Sequence, residues 1–98
     1  ILGYGTVHDV ADITMSFGNQ GEKVRQLQEK LSYLGFLEPD LVSGRYGEGT
    51  VEAVRNYQTY AGLRQNGIAN IQTQLKLNDE YASRYQNDPS VWIVTDED

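Results

Sequence analysis

The stretch LVSGRYGEGTVEAV, Leu41 to Val54, brackets an Arg-Tyr pair with three glycines and runs straight into an apolar-periodic segment. A glycine-rich loop that opens a helix can cradle a phosphate on its backbone N–H groups, but that chemistry also needs a lysine after the last glycine to reach the anion. Here Thr50 follows Gly49 directly, and Glu48 puts a carboxylate where an anion would approach, so no phosphate site is expected. Glu48 and Glu52 stand one helical turn apart and read as a solvated face. Glycan hydrolysis would need a carboxylic acid of raised pKa opposite a second carboxylate across a cleft. The single histidine, His8 beside Asp9, has no second histidine to complete a metal site or a nucleophile pair and reads as a solvated loop residue. With no cysteine there is no disulfide, thiol nucleophile or thiolate metal ligand. No catalytic residue, metal or cofactor is expected.

The elements that position the Arg-Tyr turn follow from periodicity within a chain of 98 residues, which has room for one small core. Val24, Leu27, Leu31 and Leu34 form one stripe and leave Glu22, Lys23, Arg25, Glu29 and Lys30 outward, which predicts a first helix. It should stop at Gly35, with Phe36 folding back onto its last turn. Val54, Tyr57 and Ala61 form a second stripe flanked by Val51 and Tyr60, and Gly62-Leu63 repeats the same stop. SGRYGEGT, Ser43 to Thr50, is echoed by NGIANIQT, Asn66 to Thr73. Each copy holds a polar-Gly turn, an apolar residue and a capping residue that opens a helix. Gly47 is the expected cap of the second helix. Asn70 opens a third, carrying Ile71, Leu75, Leu77, Ala82 and Tyr85. The reading is an all-α fold, a small three-helix bundle with an internal turn-helix repeat. The bundle is placed at residues 17–78, with flanks or linkers at 1–16 and 79–98. In the last of these Pro89 breaks any helix, SVWIVT reads as an edge strand or as the first strand of a neighbouring domain, and Trp92 reads as a packing residue.

The net charge of −6 repels a phosphate backbone, so nucleic acid is not an expected partner. No apolar run is long enough to cross a bilayer and no signal-like segment is present, so no membrane partner is expected. A start at Ile1 rather than Met reads as a processed product or an excised fragment.

Helix one ending Leu-Gly-Phe, the Gly-x-Tyr-Gly-x-x-Thr turn and the Ala-Val-x-x-Tyr-Gln of helix two together resemble the type 1 peptidoglycan-binding domain. Gly21, Val24, Leu27, Gln28, Leu31, Leu34, Gly35 and Phe36 fit the first part of that pattern. Gly44, Tyr46, Gly47, Thr50, Ala53, Val54, Tyr57, Gln58, Gly62 and Leu63 fit the second, and Gly67, Thr73 and Leu77 the third. Ser43 and Asn66 replace the usual Asp before each turn glycine, and Asn70 replaces a glycine. Both Ser and Asn make the same side-chain-to-backbone turn bonds as Asp.

The resemblance implies a three-helix bundle that is not itself catalytic and that tethers an attached hydrolase or other exported protein to peptidoglycan. The partners would be a glycan strand or stem peptide and an attached catalytic or structural domain. The location would be extracellular, at the cell wall, or on a phage or spore particle. Such a ligand offers N-acetyl groups, hydroxyls and carboxylates, so aromatic faces, amides and a cation are the groups to seek. Arg45, Tyr46, Tyr33, Asn66 and Tyr57 are the candidates, although Tyr57 lies on an apolar stripe and Tyr46 at a position the family usually buries. Gln28 and Gln58 either touch ligand or tie down loop backbone. An alternative reading is a structural or assembly module, as in a phage tail or spore machine, that keeps the fold without glycan binding.

Overall fold

The computed structural model describes residues 13–87; His8, Pro89, Trp92 and the SVWIVT segment lie outside them. Three helices form the bundle: α1 Glu22–Tyr33, α2 Glu48–Ala61 and α3 Ile71–Gln86, with a 3-10 turn at Pro39–Leu41 between the first two. Apart from two isolated β-bridges, the described residues carry no strand, so the fold is all-α. Val24, Leu27, Leu31 and Leu34 are all buried, as their spacing requires. They meet Ala53, Val54 and Tyr57 of α2 and Leu77 of α3, with Met15, Leu37, Tyr46 and Ala69 closing the same core. Helix α1 packs against both other helices.

The two helix stops are the same structure. Phe36 N donates to Leu31 O (2.8 Å) and Gly35 N to Ser32 O (3.0 Å); Leu63 N donates to Gln58 O (2.8 Å) and Gly62 N to Thr59 O (3.3 Å). Both pairs form the two reversed bonds of a Schellman motif, which satisfy carbonyls that the helix end would otherwise orphan. The starts differ. Asn70 caps α3 by accepting a bond from Thr73 N (2.8 Å), whereas Gly47 opens α2 with no side chain to offer.

Helix α3 departs from the expected pattern in rotation. It runs to Gln86 and so includes Ala82 and Tyr85, supported by a Glu80–Arg84 pair and stacked Tyr81 and Tyr85 rings. Its core face is Thr73, Gln74 and Leu77, while Ile71, Leu75, Ala82 and Tyr85 are exposed. Hydrogen bonds set this rotation: Thr73 Oγ1 accepts from Gln58 Nε2 (3.1 Å), and Gln74 Nε2 donates to Ile13 O and Ala69 O (both 2.6 Å). Those buried amides must be paired, and that requirement outweighs the burial of a few apolar side chains. The core also reaches back to Met15, before the expected start at 17, through an antiparallel bridge to Ala69 with N–O distances of 3.0 and 2.9 Å.

Tyr57 is fully buried, with the Phe36 ring edge-on at 5.4 Å, and its hydroxyl has no hydrogen-bond partner. A buried hydroxyl without a partner costs about 1–3 kcal/mol, and phenylalanine fills nearly the same volume. Tyr57→Phe is therefore expected to raise stability by about 1 kcal/mol. A urea melt reads it directly, and a lowered midpoint would show that the hydroxyl is bonded to a trapped water.

Candidate functional site

Each glycine turn is fastened by a buried glutamine from the helix before it. Gln28 Oε1 accepts from Ser43 N (3.0 Å) and Gly44 N (2.7 Å), and its Nε2 donates to Arg45 O and Thr50 Oγ1 (both 2.9 Å). Gln58 repeats this on the second turn: Oε1 accepts from Asn66 N (3.0 Å) and Gly67 N (2.9 Å), and Nε2 donates to Ile68 O (2.9 Å) and Thr73 Oγ1 (3.1 Å). Both glutamines are fully buried, so of their two expected roles the chain uses them to tie down loop backbone. Ser43 Oγ accepts from Arg45 N (3.1 Å) and Asn66 Oδ1 from Ile68 N (3.0 Å), which keeps the turn bond that Asp would make. Gly67 sits at φ 75°, and a Cβ there would lie 2.8 Å from Val51 Cγ1, so this position requires glycine.

The two turns are also joined to each other. Tyr46 Oη donates to Gly67 O (2.7 Å), and the segment before α1 crosses the first turn through Gly18 N to Tyr46 O, Tyr46 N to Asn19 O and Gly21 N to Gly44 O, each 2.9 Å. Arg45 is thus held at its N–H and its carbonyl while its side chain projects outward, exposed. Among the described residues no carboxylate pairs with it, and Glu48 and Glu52 stand exposed and separate. Two shallow clefts share Arg45 and Gln20. One, of about 320 Å³, is walled by Phe17 and Asn19; the other, of about 440 Å³, by Glu22, Arg25 and Ser43. Arg25 is committed to Glu22 (3.0 Å) and Glu29. That pairing holds the Glu22 carboxyl below the usual carboxylate range and raises the Arg25 guanidinium. Arg45 has no such carboxylate partner among the described residues, and the Asn19 and Gln20 amides flank it.

The five candidates do not form one site. Tyr46 and Tyr57 have relative exposures of 1% and 0%, and burial pushes each phenol up to about 12. Their rings are core, out of reach of any ligand in this fold: the Tyr46 hydroxyl is an anchor between turns and Tyr57 lies on the inner stripe of α2. Asn66 is exposed, but its Oδ1 is taken by Gln58 Nε2 and Ile68 N. Tyr33 is exposed at the far end of α1 from Arg45, separated by a helix of 12 residues, about 18 Å long. Its ring meets Tyr81 edge-on at 5.2 Å and Tyr85 at 5.9 Å. Phe17, Asn19 and Gln20 reach Arg45 through the Gln20–Arg45 bridge, and no periodicity or repeat in the sequence marks them.

A family model described as "Putative peptidoglycan binding domain" matches residues 20–77. A spore cortex-lytic enzyme of Halalkalibacterium halodurans is 35% identical over 72 residues, covering 74% of this chain and 22% of that protein. A zinc D-Ala-D-Ala carboxypeptidase of Streptomyces albus G is 40% identical over 57 residues, covering 57% of this chain and 22% of the enzyme. Among solved structures, the SleB N-terminal domain superposes with a TM-score of 0.68 at 36% identity, covering 70% of this chain and 93% of that domain. The chain spans about a fifth of the length of these curated relatives.

Proposed function

Because the chain belongs to the peptidoglycan binding domain family, we propose that this peptidoglycan-binding module is itself non-catalytic and holds an attached hydrolase on its polymer. The relatives support that division of labour. A cortex-lytic enzyme and a zinc carboxypeptidase are different activities by name, yet both share this small bundle over about a fifth of their length. A module common to unlike chemistries is best read as the part that binds. The same relatives favour a place at the cell wall or spore cortex.

The observation that carries the binding mode is Arg45, an unpaired cation on a turn fixed at both ends, between two open clefts. A guanidinium so placed makes a charge-assisted bond to a stem-peptide carboxylate. A rigid turn loses little entropy on binding. The wild-type chain is expected to sediment with insoluble peptidoglycan without releasing soluble fragments. Arg45→Ala should weaken that binding about tenfold while leaving the melt unchanged, and added salt should weaken the wild type. Equal sedimentation of mutant and wild type would remove Arg45 from the site. Failure of both to sediment would favour the assembly-module reading.

A further inference from the structure

One residue beside Arg45 keeps its main chain open. Gln20 and Arg45 stand opposite each other in an antiparallel bridge, flanked by the bonds Tyr46 N to Asn19 O and Gly21 N to Gly44 O (each 2.9 Å). In a pair of this kind neither residue bonds the other, so the N–H and C=O of each point away from its partner. On the Arg45 side both groups are used: the N–H donates to Ser43 Oγ, and the carbonyl accepts from Gln28 Nε2 and Gly47 N. On the Gln20 side neither group has a hydrogen-bond partner among the described residues, and the residue is exposed. We propose that Gln20 is a strand-edge subsite that pairs its main chain with an extended stem peptide, whose terminal carboxylate goes to Arg45. The proposal rests on the peptidoglycan-binding reading and names the part of the polymer that the Arg45 site takes.

An extended peptide adds to an open edge through main-chain bonds, and side-chain contacts make the choice of peptide. Here one ligand residue accepts from Gln20 N–H with its carbonyl and donates its own N–H to Gln20 O. Residues opposite each other in a bridge carry their side chains on one face, so Gln20 and Arg45 leave the ribbon together and both border both clefts. A strand added outside Gln20 lies two strand spacings, about 10 Å, from the Arg45 backbone. An extended arginine side chain with one charge-assisted bond spans that distance. Phe17, 63% exposed, walls the same cleft and offers an apolar face to a small methyl side chain. A neutral sugar ring has neither the alternating amide groups that the edge matches nor the anion that Arg45 matches. The chain's net charge of −6 disfavours a strongly anionic polymer, whereas a single carboxylate meets a local cation.

The test titrates the full chain with the stem pentapeptide L-Ala-D-isoGlu-L-Lys-D-Ala-D-Ala and follows amide hydrogen exchange by NMR, beside sedimentation with peptidoglycan. The Gln20 amide should exchange fast in the free chain and at least about fivefold more slowly at saturating peptide, while the Gly21 and Tyr46 amides stay slow throughout. Amidating the terminal carboxyl should weaken the peptide about tenfold for the wild type and leave its binding to Arg45→Ala unchanged. A single N-methyl group moved along the peptide should weaken binding about fivefold at one position, the amide that donates to Gln20 O. A Gln20 amide that is already slow in the free chain, or that the peptide leaves unprotected, overturns the proposal; if the wild type sediments all the same, the peptidoglycan reading stands. If the wild type does not sediment, the reading falls and the edge subsite falls with it.

Discussion

Replacing Gln58 with leucine is expected to lower stability by on the order of 3 kcal/mol, and Gln28→Leu by a similar amount. Leucine is close enough in volume that cavity formation is a minor part of the loss. What is lost is pairing. Without Gln58, the N–H groups of Asn66 and Gly67, the carbonyl of Ile68 and the hydroxyl of Thr73 lose a partner together. Each polar group left buried and unpaired costs about 1–3 kcal/mol, and the exposed side of the turn recovers part of that by rehydration. Only the sum of several such groups reaches the expected size. Urea melts at unchanged m-value provide the measurement. A loss below about 0.5 kcal/mol would mean that water replaces the amide and that the turn needs no glutamine. Gln28→Leu should also impair sedimentation with peptidoglycan beyond its effect on stability, because Gln28 Nε2 holds the Arg45 carbonyl.

Helices α1 and α2 were legible in the sequence because every local cue agreed: stripe spacing, glycine stops and charged outer faces all point to the same residues. The turn repeat was legible for the same reason, and its two glutamine fasteners could be read as loop ties because amides on an inner helix face require partners. Helix α3 was not legible in its rotation. Its apolar positions Ile71, Leu75, Ala82 and Tyr85 form a genuine helical stripe, but Thr73 and Gln74 make buried hydrogen bonds that turn that stripe outward. Periodicity shows that a face exists and leaves open what it meets. The same limit applies to the site. Arg45 stands out from its turn as the proposed site, whereas Phe17, Asn19 and Gln20 reach it through backbone pairing across the chain. Tyr46 and Tyr57 are candidates by residue type alone, and both lie in the core.

Leu31→Ala is expected to cost 2–5 kcal/mol, in the upper half of that range. Leu31 has no exposed surface and sits mid-stripe on α1, the helix that packs against both others. A cavity there cannot close by the inward shift of one neighbour, because the opposite wall is a different helix with its own fixed turn; the residual void adds to the lost transfer free energy. A domain of this size has about 5–15 kcal/mol in all, so the variant loses a large fraction of its stability and sits near its unfolding threshold at 37 °C. Leu75→Ala supplies the contrast. Leu75 is 51% exposed on the outer face of α3, and its truncation should change stability by less than about 0.5 kcal/mol. The pair measures the rotation of α3 as well as the core. Equal losses at Leu31 and Leu75 would mean that α3 turns its apolar stripe inward after all, in which case Thr73 and Gln74 would be solvated. A large loss at Leu31 with almost none at Leu75 fixes the core on α1 and keeps Thr73, Gln74 and Leu77 as the inner face of α3.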